Sequence, residues 1–201
     1  MALIRNSEFQ FAVSPEKRII WFSGEICAES SRRIINSLRR LNKTREGPIC
    51  FYLSGRGGDF KYCFAIGNEI QNSSNPVAGI AHGQVISACF MLTQFFKVCL
   101  GVEGTIFGFH RTARESRITK GLIMNQDFLQ RELDRLKMMD AIQVSVFYRR
   151  LRDFDRLFDF LRNDKVIEVS EAIKLGLIDD YFDRGEFGVD RRFMRGILKK
   201  N

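Results

Sequence analysis

Few residues of this 201-residue chain combine a reactive side chain with a setting that would activate it, and Ser87 is the first of them. It stands in His82-Gly-Gln-Val-Ile-Ser-Ala-Cys-Phe90, after the β-rich run Pro76–Ala81 and at the start of an apolar helical stretch. Gly83 can take the positive φ of a tight strand-to-helix turn. Ser87 is then expected in the first turn of the following helix, where unpaired N–H groups and the positive dipole end favour a developing oxyanion. Serine is also a preferred cap residue, so taken alone the position reads first as the cap of a buried helix.

A serine nucleophile needs an adjacent base, and the chain has two histidines, His82 and His110. His110 ends the short β-rich run Thr105-Ile-Phe-Gly-Phe-His110. A third segment, Ile49–Asp59, is an apolar strand running into Gly55-Arg-Gly-Gly58. In a parallel sheet with helical crossovers the C-terminal strand ends converge on one edge. The glycine loop, Ser87 and His110 would meet there, whereas His82 precedes the turn glycine and is expected to pack beside the strand end. The glycine loop reads otherwise as a plain tight turn or a phosphate cradle, but neither GxxxxGK[ST] nor GxGxxG is present.

The elements that would position these groups follow from periodicity and punctuation. Strands are expected at 17–24, 48–53, 76–82, 98–100 and 105–109, and helices at 29–41, 62–72 and 86–97. Such alternation predicts βαβ units with right-handed crossovers. A polar, irregular stretch at 112–120 precedes a long helical pattern at 122–151, with apolar residues at Phe128, Leu129, Leu133, Leu136, Met139, Ile142, Val146 and Phe147. At 1.5 Å per residue it would span roughly 45 Å, too long for a domain of this size to cover, so it is expected to project and to need a partner. The alternative is a helical hairpin packed on its own domain.

The ordered set, strand–GGD, then GQxxS, then strand–His, resembles the proteolytic subunit of the Clp protease family. Arg18-Ile-Ile-Trp-Phe-Ser-Gly-Glu-Ile26 is similar to that family's opening strand, and Glu171-Ala-Ile-Lys-Leu-Gly-Leu-Ile-Asp179 to its closing helix and turn. The likeness spans about 16–182. It implies an α/β fold, a Clp-protease/crotonase-like spiral of ββα units with a projecting helical handle. It also implies one peptidase domain over 1–182, followed by a basic tail at 183–201. Ser87 would be the nucleophile, His110 the base, and the N–H groups of Gly57 or Gly58 and of Ala88 the oxyanion donors. An ungapped count from Glu171 puts the family's catalytic aspartate on Phe160. A one-residue gap restores Asp159, and Asp153, Asp155 and Asp164 lie nearby. Arg56 stands where the family usually has proline. The implied assembly is a heptamer or double heptamer, of this subunit alone or mixed with a paralogue. Unfolded polypeptides would be fed to it by an AAA+ unfoldase ATPase, because this chain has no nucleotide-binding motif. Neither cofactor nor metal is implied.

Composition sets outer bounds. One domain of this length can bury a substantial core, and the 45% hydrophobic content is ordinary for a globular protein. The 19 phenylalanines point to a bulky core or to aromatic surface meant for partners. Five cysteines without a CxxC pair read as reduced, buried thiols, and neither a secretory leader nor a membrane span is expected, which places the chain in the cytoplasm or an organellar stroma or matrix. The net charge of +8 is spread among acids, as in Arg131-Glu-Leu-Asp-Arg-Leu-Lys137, which argues against nucleic-acid binding. Three other readings compete with a serine peptidase. They are a structural ring subunit that has lost activity, an acyl-CoA enzyme of the crotonase superfamily, and a signal-peptide-peptidase relative with a Ser–Lys dyad.

Overall fold

The computed structural model describes residues 2–5, 8–44, 46–109, 126–151, 155, 159–160 and 165–182. Strands β1 (Ala2–Arg5), β2 (Phe9–Ser14) and β3 (Ile19–Ile26) form an antiparallel meander. From β3 the chain winds through α1 (Ala28–Thr44), β4 (Ile49–Gly58), α2 (Phe60–Gln71), β5 (Val77–Ile86), α3 (Ala88–Thr93) and β6 (Val98–Val102). The sheet continues β3-β4-β5-β6 in parallel and ends with β9 (Asp180–Phe182) beside β6. Helices α1 to α3 share one continuous core with the sheet, built on Phe22, Ile34, Leu38, Phe51, Ile66 and Phe90. This is the α/β architecture the alternation predicts. The meander strands β1 and β2 were not expected, although Phe9-Gln10-Phe11 alternates and Phe9 and Phe11 are buried.

β5 changes partners along its length. Ala78–Ala81 pair with β6, and Gln84–Ile86 pair with β7 (Ile106–Gly108). β7 in turn pairs antiparallel with β8 (Val166–Glu168), which feeds α5 (Val169–Lys174). This second ladder corrects two expectations. The strand does not stop at His82 but runs to Ile86, because β7 offers Gln84–Ile86 a partner. The helix expected over 86–97 is the six residues of α3. Gly83 does have a positive φ of 65°, but it serves the point where the β4–β5 register shifts, not a turn into a helix.

α4 (Gln126–Leu151) is 26 residues, about 39 Å at 1.5 Å per residue. Its C-terminal half is anchored by the buried Gln143, Val146 and Phe147. Arg150 fastens the base, donating to the Asp179 carboxylate at 2.8 Å and to the Phe96 carbonyl at 2.9 Å. Towards the N-terminal half, the side chains of Gln130, Arg131, Asp134, Arg135, Lys137 and Met138 are exposed. The expected residues 122–125, the polar stretch 112–120 and the tail 183–201 lie outside the described residues. Among those described, no helix is long and apolar enough to cross a membrane.

Phe90 ties α3 to this frame through Phe107 at 5.1 Å, Phe147 at 5.2 Å and Phe160 at 6.0 Å between ring centroids. Phe90→Ala would leave a cavity at the meeting point of three elements. Chemical denaturation should report a loss of about 3–5 kcal/mol.

Candidate functional site

Ser87 sits between β5 and α3, and the backbone there is unusual. Its φ is +53° and its ψ −123°, one of two positive-φ non-glycine residues described. A side chain in that region costs on the order of 1–3 kcal/mol and persists only where the surroundings impose it. Here the constraint is visible: the Ser87 N–H donates to the Gly108 carbonyl at 2.7 Å, and its carbonyl accepts from Met91 N–H at 2.9 Å. Ser87 is thus held by the end of β7 on one side and by the first turn of α3 on the other. It occupies the N-cap position, yet its hydroxyl makes no capping bond. The sequence left capping and nucleophilic roles open. A hydroxyl on a strained turn, spent on no helix donor, fits the second.

The glycine segment faces it. β4 does not end at Leu53 but continues as extended backbone through Gly58, with Gly55, Gly57 and Gly58 at φ of 153°, 110° and 135°. A Cβ on Gly57 would come to 2.7 Å from Ser87 Cβ and 2.9 Å from Ala88 N. Gly57 is therefore glycine because the Ser87 turn abuts it. Gly58 turns the other way, where a Cβ would strike the Ile26 carbonyl. Gly57 and Gly58 both carry a backbone N–H on the segment that abuts the Ser87 turn. Ala88 N lies at the start of α3, where a backbone N–H has no helical acceptor.

His110 lies outside the described residues. Its approach does not: Gly108 pairs with Ile86, and Phe109 N–H reaches the Lys165 carbonyl at 3.5 Å. The chain thus leaves β7 alongside Ser87. His82 is elsewhere, in the interior of β5 and not beside a strand end as expected, packed on Trp21 at 5.4 Å and Tyr52 at 6.4 Å on the sheet face without helices. Burial lowers its pKa, and its Nε2 has no hydrogen-bond partner among the described residues.

Of the carboxylates, Asp153 and Asp164 lie outside the described residues, and Asp155 is exposed. Asp159 is exposed and ion-paired to Lys165 at 2.7 Å. Phe160 is the member of that pair turned inward, 3% exposed and edge-on to Phe90. Lys165 therefore touches both sides of the question, with its side chain on Asp159 and its carbonyl on Phe109. Nothing in the sequence singled it out, since a lone lysine in a charged stretch carries no signal. Cys89, two residues after Ser87, is not a rival nucleophile: burial pushes its thiol up to about 12. Among the described residues no group of His, Cys, Asp and Glu could hold a metal ion.

Comparison with known proteins places this geometry. The family model for Clp protease matches residues 10–184. A curated relative, the ATP-dependent Clp protease proteolytic subunit 1 of Corynebacterium diphtheriae, is 22% identical over 173 residues, covering 84% of this chain and 80% of its own. Among solved structures, a point mutant of ClpP1 from Listeria monocytogenes superposes with a TM-score of 0.75 at 17% identity, covering 85% of this chain and 94% of that one.

Proposed function

The chain belongs to the Clp protease family, and we propose that within it the protein is a serine endopeptidase, the proteolytic subunit of an ATP-dependent complex. The observation that carries this reading is the strained Ser87 turn set against Gly57, with a hydroxyl bound to no neighbour among the described residues. Ser87 Oγ attacks the peptide carbonyl and His110 accepts its proton. The tetrahedral oxyanion is held by the N–H groups of Ala88 and of Gly57 or Gly58. His110 then returns the proton to the leaving amine, and water repeats the cycle on the acyl-enzyme.

The orienting carboxylate is Asp159, which must share or release Lys165 to meet His110. Asp159→Asn is expected to lower turnover several hundred-fold or more, towards the roughly 10⁴-fold that loss of the triad carboxylate costs in serine proteases. Unchanged turnover would pass the role to another carboxylate or leave a Ser–His dyad.

Assembly is supported by aromatic surface that the described residues leave half exposed. Trp21, Tyr52, His82 and Phe182 make a half-buried aromatic patch on the sheet face opposite the helices, and α4 is exposed towards its N-terminal half. Both support a ring-forming oligomer, a heptamer or double heptamer in the cytoplasm or an organelle. It would receive unfolded chains from an AAA+ unfoldase ATPase.

A second reading, a ring subunit with impaired activity, is favoured by Phe160 in the inward position. A fluorophosphonate probe decides between them. Labelling that maps to Ser87 supports the peptidase. A wild-type protein that forms rings by light scattering, yet neither labels nor cleaves with its ATPase present, is the impaired subunit.

A further inference from the structure

A pocket of about 550 Å³ opens where the C-terminal ends of β3, β4 and β5 separate. Its cause is in the ladders: the β3–β4 register shifts between Ser23 and Glu25, and the β4–β5 register between Leu53 and Gly55. Two neighbouring irregularities splay the strand ends. Gly57 and Gly58 form one wall, so the pocket adjoins the Ser87 turn across a backbone with no side chains.

The other walls are polar and charged: Glu8, Ser23, Glu25, Ser54, Arg56 and Gln84. Some of that capacity is spent within the fold. Glu8 accepts from the Cys27 thiol at 3.6 Å, its carbonyl accepts from Glu25 N–H, and the Ser54 hydroxyl donates to the Gln84 carbonyl. Arg56 and Glu25 are different. Neither side chain has a partner among the described residues, and they do not pair with each other although both line this pocket. A cation and an anion with unspent hydrogen-bonding capacity, converging on a concave surface beside a candidate nucleophile, are the ingredients of a specificity site.

We infer that this pocket is a substrate subsite in which Arg56 receives an acidic side chain of an extended peptide flanking the cleaved bond. The inference rests on the peptidase reading of Ser87. Arg56 precedes Gly57 directly, and successive residues of an extended peptide advance about 3.3 Å, so a bond held at Ser87 places flanking side chains within the reach of a guanidinium. The planar fork of arginine suits a carboxylate, with which it forms two parallel hydrogen bonds. Glu25 accepts a main-chain N–H of the same peptide, and the Gln84 amide adds a further donor and acceptor. Lysine in place of the acidic residue would meet Arg56 with like charge and would have to displace the peptide main chain from Glu25 to find a counter-charge.

The test uses the full-length protein and two end-blocked heptapeptides that differ only in Asp against Lys at one position flanking the scissile bond. Cleavage should favour the Asp peptide about five-fold in kcat/KM, and the ratio should shrink as salt is raised from 50 to 500 mM. Arg56→Glu should invert it. Arg56→Gln should bring it near one and serves if the reversal does not fold. Fluorescence anisotropy of the same peptides on Ser87→Ala protein should show the same order of affinity. A ratio of one, or a preference for Lys, in wild-type protein that labels at Ser87 overturns the subsite and spares the peptidase. Failure to label overturns the peptidase, and the anisotropy then decides the pocket alone: equal binding of the two peptides removes it.

Discussion

Ser87→Ala should reduce peptide hydrolysis by about four orders of magnitude or more, abolish fluorophosphonate labelling, and leave folding and assembly where they were. The size of the loss follows from the role, because without the hydroxyl no acyl-enzyme forms and the residual rate falls to what binding and oxyanion donors provide alone. The neutrality for folding follows from the geometry. The hydroxyl makes no cap and no hydrogen bond among the described residues, so its removal leaves no orphaned partner. Alanine keeps the Cβ already accommodated at φ +53°, so backbone strain is unchanged. Stability should stay within about 0.5 kcal/mol of wild type by denaturant titration. Cys89 cannot substitute, since its buried thiol is pushed up to about 12 and stays protonated at neutral pH. A variant that unfolded would show that Ser87 is structural.

The main frame was legible because it is written in periodicity and punctuation. The parallel order of β3, β4, β5 and β6, with a helix between each pair, follows from apolar runs separated by polar turns. The long helix α4 follows from a sustained helical spacing of apolar residues. The missed features share one physical origin, partners distant in sequence. β5 runs on past His82 only because β7, some twenty residues later, pairs with Gln84–Ile86. The turn was expected at Gly83 because glycine is the usual bearer of positive φ, yet here Ser87 bears it, fixed by Gly108. β1 and β2 are short, and β1 makes its only ladder with β2. The doubt over the third carboxylate survives in the structure in sharper form. The one-residue ambiguity in the sequence becomes a choice between Asp159, turned outward to Lys165, and Phe160, turned into the aromatic cluster around Phe90.

Gly57→Ala should cost about a thousand-fold in kcat/KM, a large effect for a change that leaves both Ser87 and His110 in place. Two penalties are present at Gly57, and they can be separated. The first is generic: a φ of +110° is one that side chains rarely adopt. The second is local: the new methyl would lie 2.7 Å from Ser87 Cβ, 2.9 Å from Ala88 N and 3.0 Å from the Ile86 carbonyl. Two of those three contacts are backbone, so relief requires moving the nucleophile turn or the β4 end, and either shift misplaces an oxyanion donor. Loss of one such donor alone costs 10²–10³ in enzymes of this chemistry, and displacement of the nucleophile adds to it. Gly104→Ala is the control. It also has a positive φ, +77°, but a Cβ there meets nothing within 4 Å. Gly104→Ala should lose on the order of 1–2 kcal/mol of stability by denaturant titration and Gly57→Ala more, because of its added clash, while only Gly57→Ala should lose labelling at Ser87. Equal activity in the two variants would mean that the close approach of Gly57 to Ser87 is packing without catalytic consequence, and the oxyanion donors would have to be sought elsewhere.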